Sequence, residues 1–288
     1  MGIAHSVELC EIAPADVGMV AEFLHVHMNS RVTAAAWASA VTPPWRVDSP
    51  NHGFMLKENG LVVGAYLAIY SDRVIDGHLE RFCNLAAWCV LEKFRSHGLR
   101  LVHAMLAQQG FHFTDLSPSG NVVALNKRLN FRSFDTTTAL VPNLPWPGPA
   151  HTRVTSDPEV ISRTLRDRDL EIYRDHVATS ASRHIVVQRG DEYCYLIVRR
   201  DRRKRLPVFA SILYVSNIDL FEDVARAVFR HLLLRHRALA TLAEIRVVGI
   251  RPPMSIALMS ARPKMYRSDR LRPEQIDYLY SELACLAW

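Results

Sequence analysis

No stretch of this sequence is apolar for long enough to cross a bilayer. Nor does it open like a secretory leader: MGIAHSVELCEIAPADVG puts Glu8, Glu11 and Asp16 where such a leader needs an unbroken apolar region. Both absences point to a cytoplasmic protein without a membrane span. The first six residues do fit the N-myristoylation pattern, with Gly2 and Ser6 in place, which would supply a weak, conditional anchor. Cysteine is scarce too. The five residues Cys10, Cys83, Cys89, Cys194 and Cys285 are odd in number and far apart, so no metal knuckle or redox pair is expected and the thiols should be buried and reduced.

What remains is a globular composition, 49% hydrophobic and 22% charged over 288 residues, enough for one large domain or two ordinary ones. The net charge of +6 mildly favours an acidic or phosphorylated partner. Part of it comes from RRDRRKR at 199–205, which reads either as a solvated hairpin tip between two strands or as a contact for an acidic partner. Proline gathers in one place, LVPNLPWPGPA at 140–150, where missing amide donors and fixed φ angles oppose regular structure. That composition predicts one unit over 1–141, a linker over 142–155 and a second unit over 156–288.

Apolar spacing predicts helices over 13–28 and 33–41, then two strands about the Asn59–Gly60 turn, the dipeptide that most readily supplies positive φ. A strand within ERFCNLAAWCVL, a helix after FRSHG, a strand FHFTDL, a helix near 119–129 and a strand FRSFDTTTAL complete the first half. The second half repeats the outline: a hairpin in HIVVQRGDEYCYLIVRR, a strand LPVFASILYVS, a helix from Asp219 as N-cap, and a strand AEIRVVGI. A Pro-started helix with Ile276, Leu279 and Tyr280 on its packing face is expected to end the chain.

The junction FRSHGLRL, 94–101, joins a strand to a helix. Helix-start amides point at whatever lies in front of them, Gly98 allows close approach, and Arg95 and Arg100 add positive charge; an anion is the natural ligand. A plain turn is the structural alternative.

The run VLEKFRSHGLR resembles the phosphate-loop signature of the GNAT superfamily of acyl-CoA acyltransferases, a strand ending V-x-P-E-Y-R and a loop R/Q-x-x-G-x-G/A. Val90, Phe94, Arg95 and Gly98 match directly or by type, Glu92 stands at the usual proline, and Arg100 at the final small residue. NVVALNKRLNF resembles the second signature, N-x-x-A-x-x-Y-x-x-x-G-F, through Asn121, Ala124, Leu129 and Phe131, with Asn126 near the tyrosine position and Asn130 at the glycine. The resemblance spans residues 7–140. It implies an α/β (α+β) fold of two tandem GNAT-like domains, each a mixed, mostly antiparallel sheet flanked by helices.

By that resemblance the backbone of Cys89, Val90 and Leu91 would hold pantetheine. Arg95, Ser96, His97, Gly98, Leu99 and Arg100 would hold the CoA pyrophosphate, with Asn121 beside them. The implied chemistry is direct transfer of an acetyl or longer acyl group from acyl-CoA to an amine or hydroxyl of a small molecule or saccharide, with no metal. Glu80 is the expected base and His78 the next candidate, while Asn84, at the position where relatives often carry glutamate, would orient the nucleophile or water. Asn126 would donate to the leaving thiolate, with Ser117 or Ser119 as further neutral donors. Trp88 and Cys89 read most simply as core or tunnel residues.

In the second half, Asp219, Glu222 and Asp223 would repel a pyrophosphate, so only the first half is expected to bind CoA. The second half would close the acceptor pocket, form a homodimer or preserve an old duplication. Two competing readings remain: a Fem-type aminoacyl-tRNA-dependent transferase using the basic run on RNA, and an inactive CoA-binding sensor or scaffold. No long helical hairpin insertion supports the former, and nucleic acid is not the expected partner.

Overall fold

The computed structural model describes residues 6–203, 206–259 and 262–287. The myristoylation pattern up to residue 5, and Lys204 and Arg205 of the basic run, lie outside them.

In chain order the first half comprises β1 (Glu8–Glu11), α1 (Val17–His27), α2 (Ala34–Val41), β2 (Gly53–Glu58), β3 (Leu61–Ile75), β4 (His78–Val90), α3 (Gly98–Leu106), β5 (His112–Asp115), α4 (Gly120–Arg128), β6 (Arg132–Ser133) and β7 (Thr138–Pro142). The second comprises β8 (Thr152–Thr155), α5 (Pro158–Thr164), α6 (Asp167–His176), β9 (Ser182–Arg189), β10 (Glu192–Arg203), β11 (Leu206–Val215), α7 (Ile218–His236), β12 (Ala240–Glu244), α8 (Ile245–Val248), β13 (Ile256–Leu258), β14 (Met265–Arg267) and α9 (Glu282–Cys285).

These strands form two seven-stranded mixed sheets, ordered β1-β2-β3-β4-β5-β14-β6 and β13-β7-β12-β11-β10-β9-β8. Each has one parallel pair at the same place in the repeat, β4 with β5 and β11 with β12, bridged by α3 and α7. The expected order of hairpin, strand, helix and strand therefore occurs twice. The first hairpin turns where predicted, with Asn59 at φ 52° and Gly60 at φ 79°.

The sheets do not divide at one point in the chain. β7 leaves the first sheet and pairs with β12 and β13 of the second, while β14 returns from the C-terminal half to lie between β5 and β6. A shared apolar core lies between the halves: Phe82, Leu116 and Phe134 pack in one cluster with Tyr195, Leu213, Tyr278 and Leu279. Burying a large apolar side chain contributes about 1.5–3 kcal/mol, so this cluster is a substantial bond between the sheets.

Four local expectations need correction. Along RRDRRKR the strand alternation of β10 sends Arg200 and Arg202 outward but buries Arg199 and Asp201. Arg199 donates to the carbonyls of Leu283 and Leu286 at 3.0 and 3.4 Å, so this part of the run is an internal brace and not a solvated tip. The N-cap of α7 is Asn217, whose Oδ1 accepts from the Leu220 amide at 3.0 Å, and not Asp219. AEIRVVGI is strand only to Glu244, after which the chain turns into α8. The Pro-started helix near the C-terminus is one 3-10 turn, Pro273–Gln275, because arginine side chains take the carbonyls that helix amides would use: Arg73 holds Leu279 O at 2.9 Å and Arg246 holds Ile276 O at 2.8 Å.

Candidate active site

Parallel pairing between β4 and β5 runs from Phe82 with His112 to Asn84 with Thr114, and then stops. Immediately beyond, Leu67 pairs with Ala87 and Ala68 with Leu85, so Ala86 is an extra, unpaired residue on β4. Such a bulge bends its strand and ends pairing on the neighbouring side. The two strands splay, and a cavity of about 160 Å³ opens between them, lined by Leu85, Trp88, Asp115, Ser117 and, from above, Tyr66 and Met28.

Backbone direction along the cleft follows from one hydrogen bond. The Leu91 amide donates to Val63 O at 3.0 Å, toward β3. Main-chain groups alternate sides along a strand, so those of Cys89 and Leu91 face β3 and those of Val90 face the open cleft. Of the three residues expected to bond pantetheine, Val90 alone presents its backbone there.

After β4 the chain makes a 3-10 turn, Glu92–His97, anchored by buried Phe94, and enters α3 directly. The Gly98 amide is taken by the Arg95 carbonyl, and its φ of −57° is ordinary. Gly98 packs on the end of β4: an added Cβ would lie 3.4 Å from the Trp88 ring and 3.6 Å from Val90, ordinary contact distances that leave little room for a longer side chain. Arg95, Ser96 and Leu99 are exposed, and His97 is half-buried. Among the described residues the Arg95 side chain makes a surface pair with Glu92 at 3.5 Å, whereas Arg100 donates to Val7 O at 2.8 Å. Asn121 is exposed in the first turn of α4, next to Val122, which lines the cavity.

The structure does not bring the acid-base candidates together. His78 is exposed at the far end of β4. Glu80 lies four residues before Asn84, about 13 Å along a strand, on the closed side of the splay. It is buried there against His112 Nε2 at 2.8 Å and Arg270. The His112 hydrogen bond, aided by Arg270, holds its carboxyl below the usual range. Asn84 does sit at the apex of the splay, fully buried; its amide donates to Thr114 Oγ1 at 3.1 Å and its Oδ1 accepts from the Glu282 amide at 3.1 Å. Asn126 is buried under the cleft, and its Nδ2 donates to Asp115 Oδ2 at 2.8 Å.

Three chemically capable groups were not singled out from sequence. Asp115 ends β5 at the cavity wall, its carboxyl pushed up to about 6 by burial. Glu282, from α9, is wholly buried and pushed up to about 7, first by burial and then by the nearby Asp115 charge. Its Oε1 accepts from Ser117 Oγ at 2.7 Å, and its Oε2 has no hydrogen-bond partner among the described residues. Tyr66 stacks on Trp88 at 5.5 Å between centroids, with its hydroxyl raised by burial and by Asp115. Asp115 had one signal, a lone acid in the apolar strand FHFTDL; Glu282 had none, because only the tertiary fold places it.

Among the described residues the corresponding junction of the second half is built differently. From Val215 the chain passes through two residues into α7, without the turn that precedes α3. Beyond Ser211 and Leu242, where β11 and β12 stop pairing, the space is about 50 Å³ and its lining mixes leucines with charged groups, among them Arg199, Glu244 and Lys264.

The fold is that of the GCN5-related N-acetyltransferases, present as two halves. No protein-family model and no curated protein matches the sequence. Among solved structures, a GCN5-related N-acetyltransferase from Anabaena variabilis aligns at a TM-score of 0.58 and 11% identity, over 91% of this chain and 72% of that one. The glucosamine N-acetyltransferase region of a fungal GH3 β-N-acetylglucosaminidase aligns at 0.57 and 13%, over 92% of this chain and 38% of that one. Saccharomyces cerevisiae N-myristoyltransferase with bound myristoyl-CoA aligns at 0.50 and 11%, over 100% and 91%.

Proposed function

We propose that this protein is an acyl-CoA-dependent acyltransferase that moves an acyl group from CoA to an amine or hydroxyl of a small molecule or saccharide by direct attack. The observation that carries the reading is the splay of β4 from β5, which opens at the bulged Ala86 and points toward the turn leading into α3. Pantetheine would lie in the splay against the backbone of Val90, as an added strand. The pyrophosphate would sit at the turn, drawn by the helix dipole and by exposed Arg95, whose surface pair with Glu92 is weak enough to give up. Unpaired main chain at Ala86 is the candidate donor to the thioester carbonyl, the place where negative charge develops. The neighbours named for N-acetyl transfer and for bound myristoyl-CoA support CoA as acyl carrier, and the glucosamine N-acetyltransferase region supports an amine on a small acceptor.

Asn126 favours a second reading, a CoA-binding sensor, since its amide is already bonded to Asp115. Calorimetric titration with CoA and acetyl-CoA, for wild type and Gly98→Leu, tests the common step. A leucine side chain at 98 would reach beyond a Cβ already in contact with Trp88 and Val90 and should weaken CoA binding at least about tenfold, or 1.4 kcal/mol, with circular dichroism unchanged. A folded wild type that binds neither ligand sinks both readings; binding without thiol release with any amine or hydroxyl acceptor favours the sensor.

A further inference from the structure

We propose that Glu282, brought to the base of the cleft by the C-terminal segment, accepts the proton of the attacking nucleophile through the hydroxyl of Ser117. This rests on the acyltransferase reading and supplies the base that Glu80 cannot be. Three observations carry it. Ser117 is exposed on the cleft wall and donates to Glu282 Oε1 at 2.7 Å, so one hydroxyl links the cavity to a carboxylate with no exposed surface. No arginine or lysine is bonded to Glu282 among the described residues, and its Oε2 lacks any hydrogen-bond partner there, so the carboxylate charge is little compensated and Oε1 can take the proton that Ser117 passes to it. The main chain at 282 is fixed by Asn84, the last paired residue before the splay, so the carboxylate is registered to the point where the cleft opens.

The groups facing Glu282 set its proton affinity. Asp115 from β5 disfavours its ionisation, Ser117 and the Asn84 contact favour it, and Tyr66 from β3 and Cys285 on its own helix feel its charge. Arg199 from β10 is the nearby cation, but its guanidinium is bonded to main-chain carbonyls of Leu283 and Leu286. With a carboxyl at about 7, the site holds a base in comparable amounts of both forms near neutrality.

The step balances without a further reactant. The acceptor nitrogen or oxygen forms its bond to the thioester carbon as its proton passes to Ser117 Oγ, whose own proton moves to Glu282 Oε1. Collapse breaks the carbon–sulfur bond, the electron pair leaves on sulfur, and Glu282 returns the proton through Ser117 to give the CoA thiol. Burial first, and then the charge of Asp115, held by Asn126, raise the proton affinity of Glu282.

Water is the simplest acceptor, so the test needs no identified substrate. Thiol release from acetyl-CoA would be followed between pH 5 and 9 in wild type, E282Q, E282D and S117A, with CoA affinity measured beside it. Because the ionised form is the base, the wild-type rate should rise with pH through about 7. E282Q should fall about 100-fold and lose that limb, S117A should fall in rate, and E282D should regain part of the limb, all with CoA affinity unchanged. A near-isosteric E282Q that keeps both rate and limb overturns the proposal. So does a wild type that binds CoA yet releases no thiol at any pH, whereas loss of CoA binding itself removes the acyltransferase reading and this inference with it.

Discussion

Glu80 illustrates how a carboxylate beside a cleft can be structural. Ser268 Oγ lies 2.9 Å from His112 Nδ1, and His112 Nε2 lies 2.8 Å from Glu80, the order of groups found in a nucleophilic triad. The serine oxygen, however, already accepts from the Leu271 and Arg270 amides at 2.9 and 3.3 Å, which occupies the lone pairs a nucleophile would use. The array instead ties β4, β5 and the segment after β14 together. Glu80→Gln should therefore leave CoA binding unchanged and cost about 1.5–3 kcal/mol of stability at neutral pH. The pH dependence has a definite sign. The folded carboxyl titrates below its unfolded value, so its contribution is full above about pH 4.3 and is lost as pH falls through the folded pKa. Urea denaturation across pH 3–7 should show wild type losing its advantage over the variant only at the acid end; an advantage that persists there, or a loss of CoA affinity, would refute the structural role.

At the scale of elements, much was legible because it rests on local chemistry. The Asn59–Gly60 hairpin, the α3 junction and the α4 helix, with Asn130 at φ 64°, follow from turn residues and apolar spacing. The segment after β14 did not, because its backbone partners lie far away in sequence. Arg73 reaches Asp277 and the Leu279 carbonyl, both at 2.9 Å, across 204 and 206 residues, and no window around Ile276 contains that information. For the same reason Glu282 was invisible while Ser117, its cleft-side partner, was named as a donor. Arg73 is itself buried, with Nε on Ser71 Oγ at 3.2 Å, so replacing it with Met leaves Asp277 and a main-chain carbonyl without their cation. Because Asp277 keeps part of its side chain in water, the loss should be that of hydrogen bonds to a charged group, about 1.5–3 kcal/mol. Arg73→Met should show that loss in urea, together with a lower rate of thiol release and little change in CoA affinity, since the loosened segment carries Glu282 and not the phosphate seat. Equal stability in the variant would refute the brace.

At the scale of the whole molecule, the exchange of β7 and β14 makes each sheet depend on the other half of the chain. Proline composition marks 141/142 as a boundary, yet that cut falls inside β7, which pairs with β12 from Thr138 opposite Glu244 to Pro142 opposite Ala240. A fragment of residues 1–141 would lack β14, leaving the β5 edge and β6 without their shared neighbour and exposing Phe82, Leu116 and Phe134. An open strand edge beside uncovered aromatic surface is a template for association. A fragment of residues 142–288 would lack most of the strand between β13 and β12, together with the wall that covers Tyr278 and Leu279. We therefore expect each fragment alone to aggregate or to unfold without a cooperative transition. Mixing the two from denaturant should restore a single transition and, with it, CoA binding, because β5, one wall of the cleft, is held at its outer edge by β14. Intact protein should unfold in one step followed alike by tryptophan fluorescence and far-ultraviolet circular dichroism. A soluble 1–141 fragment that binds CoA with wild-type affinity would show instead that the exchanged strands decorate two independent domains.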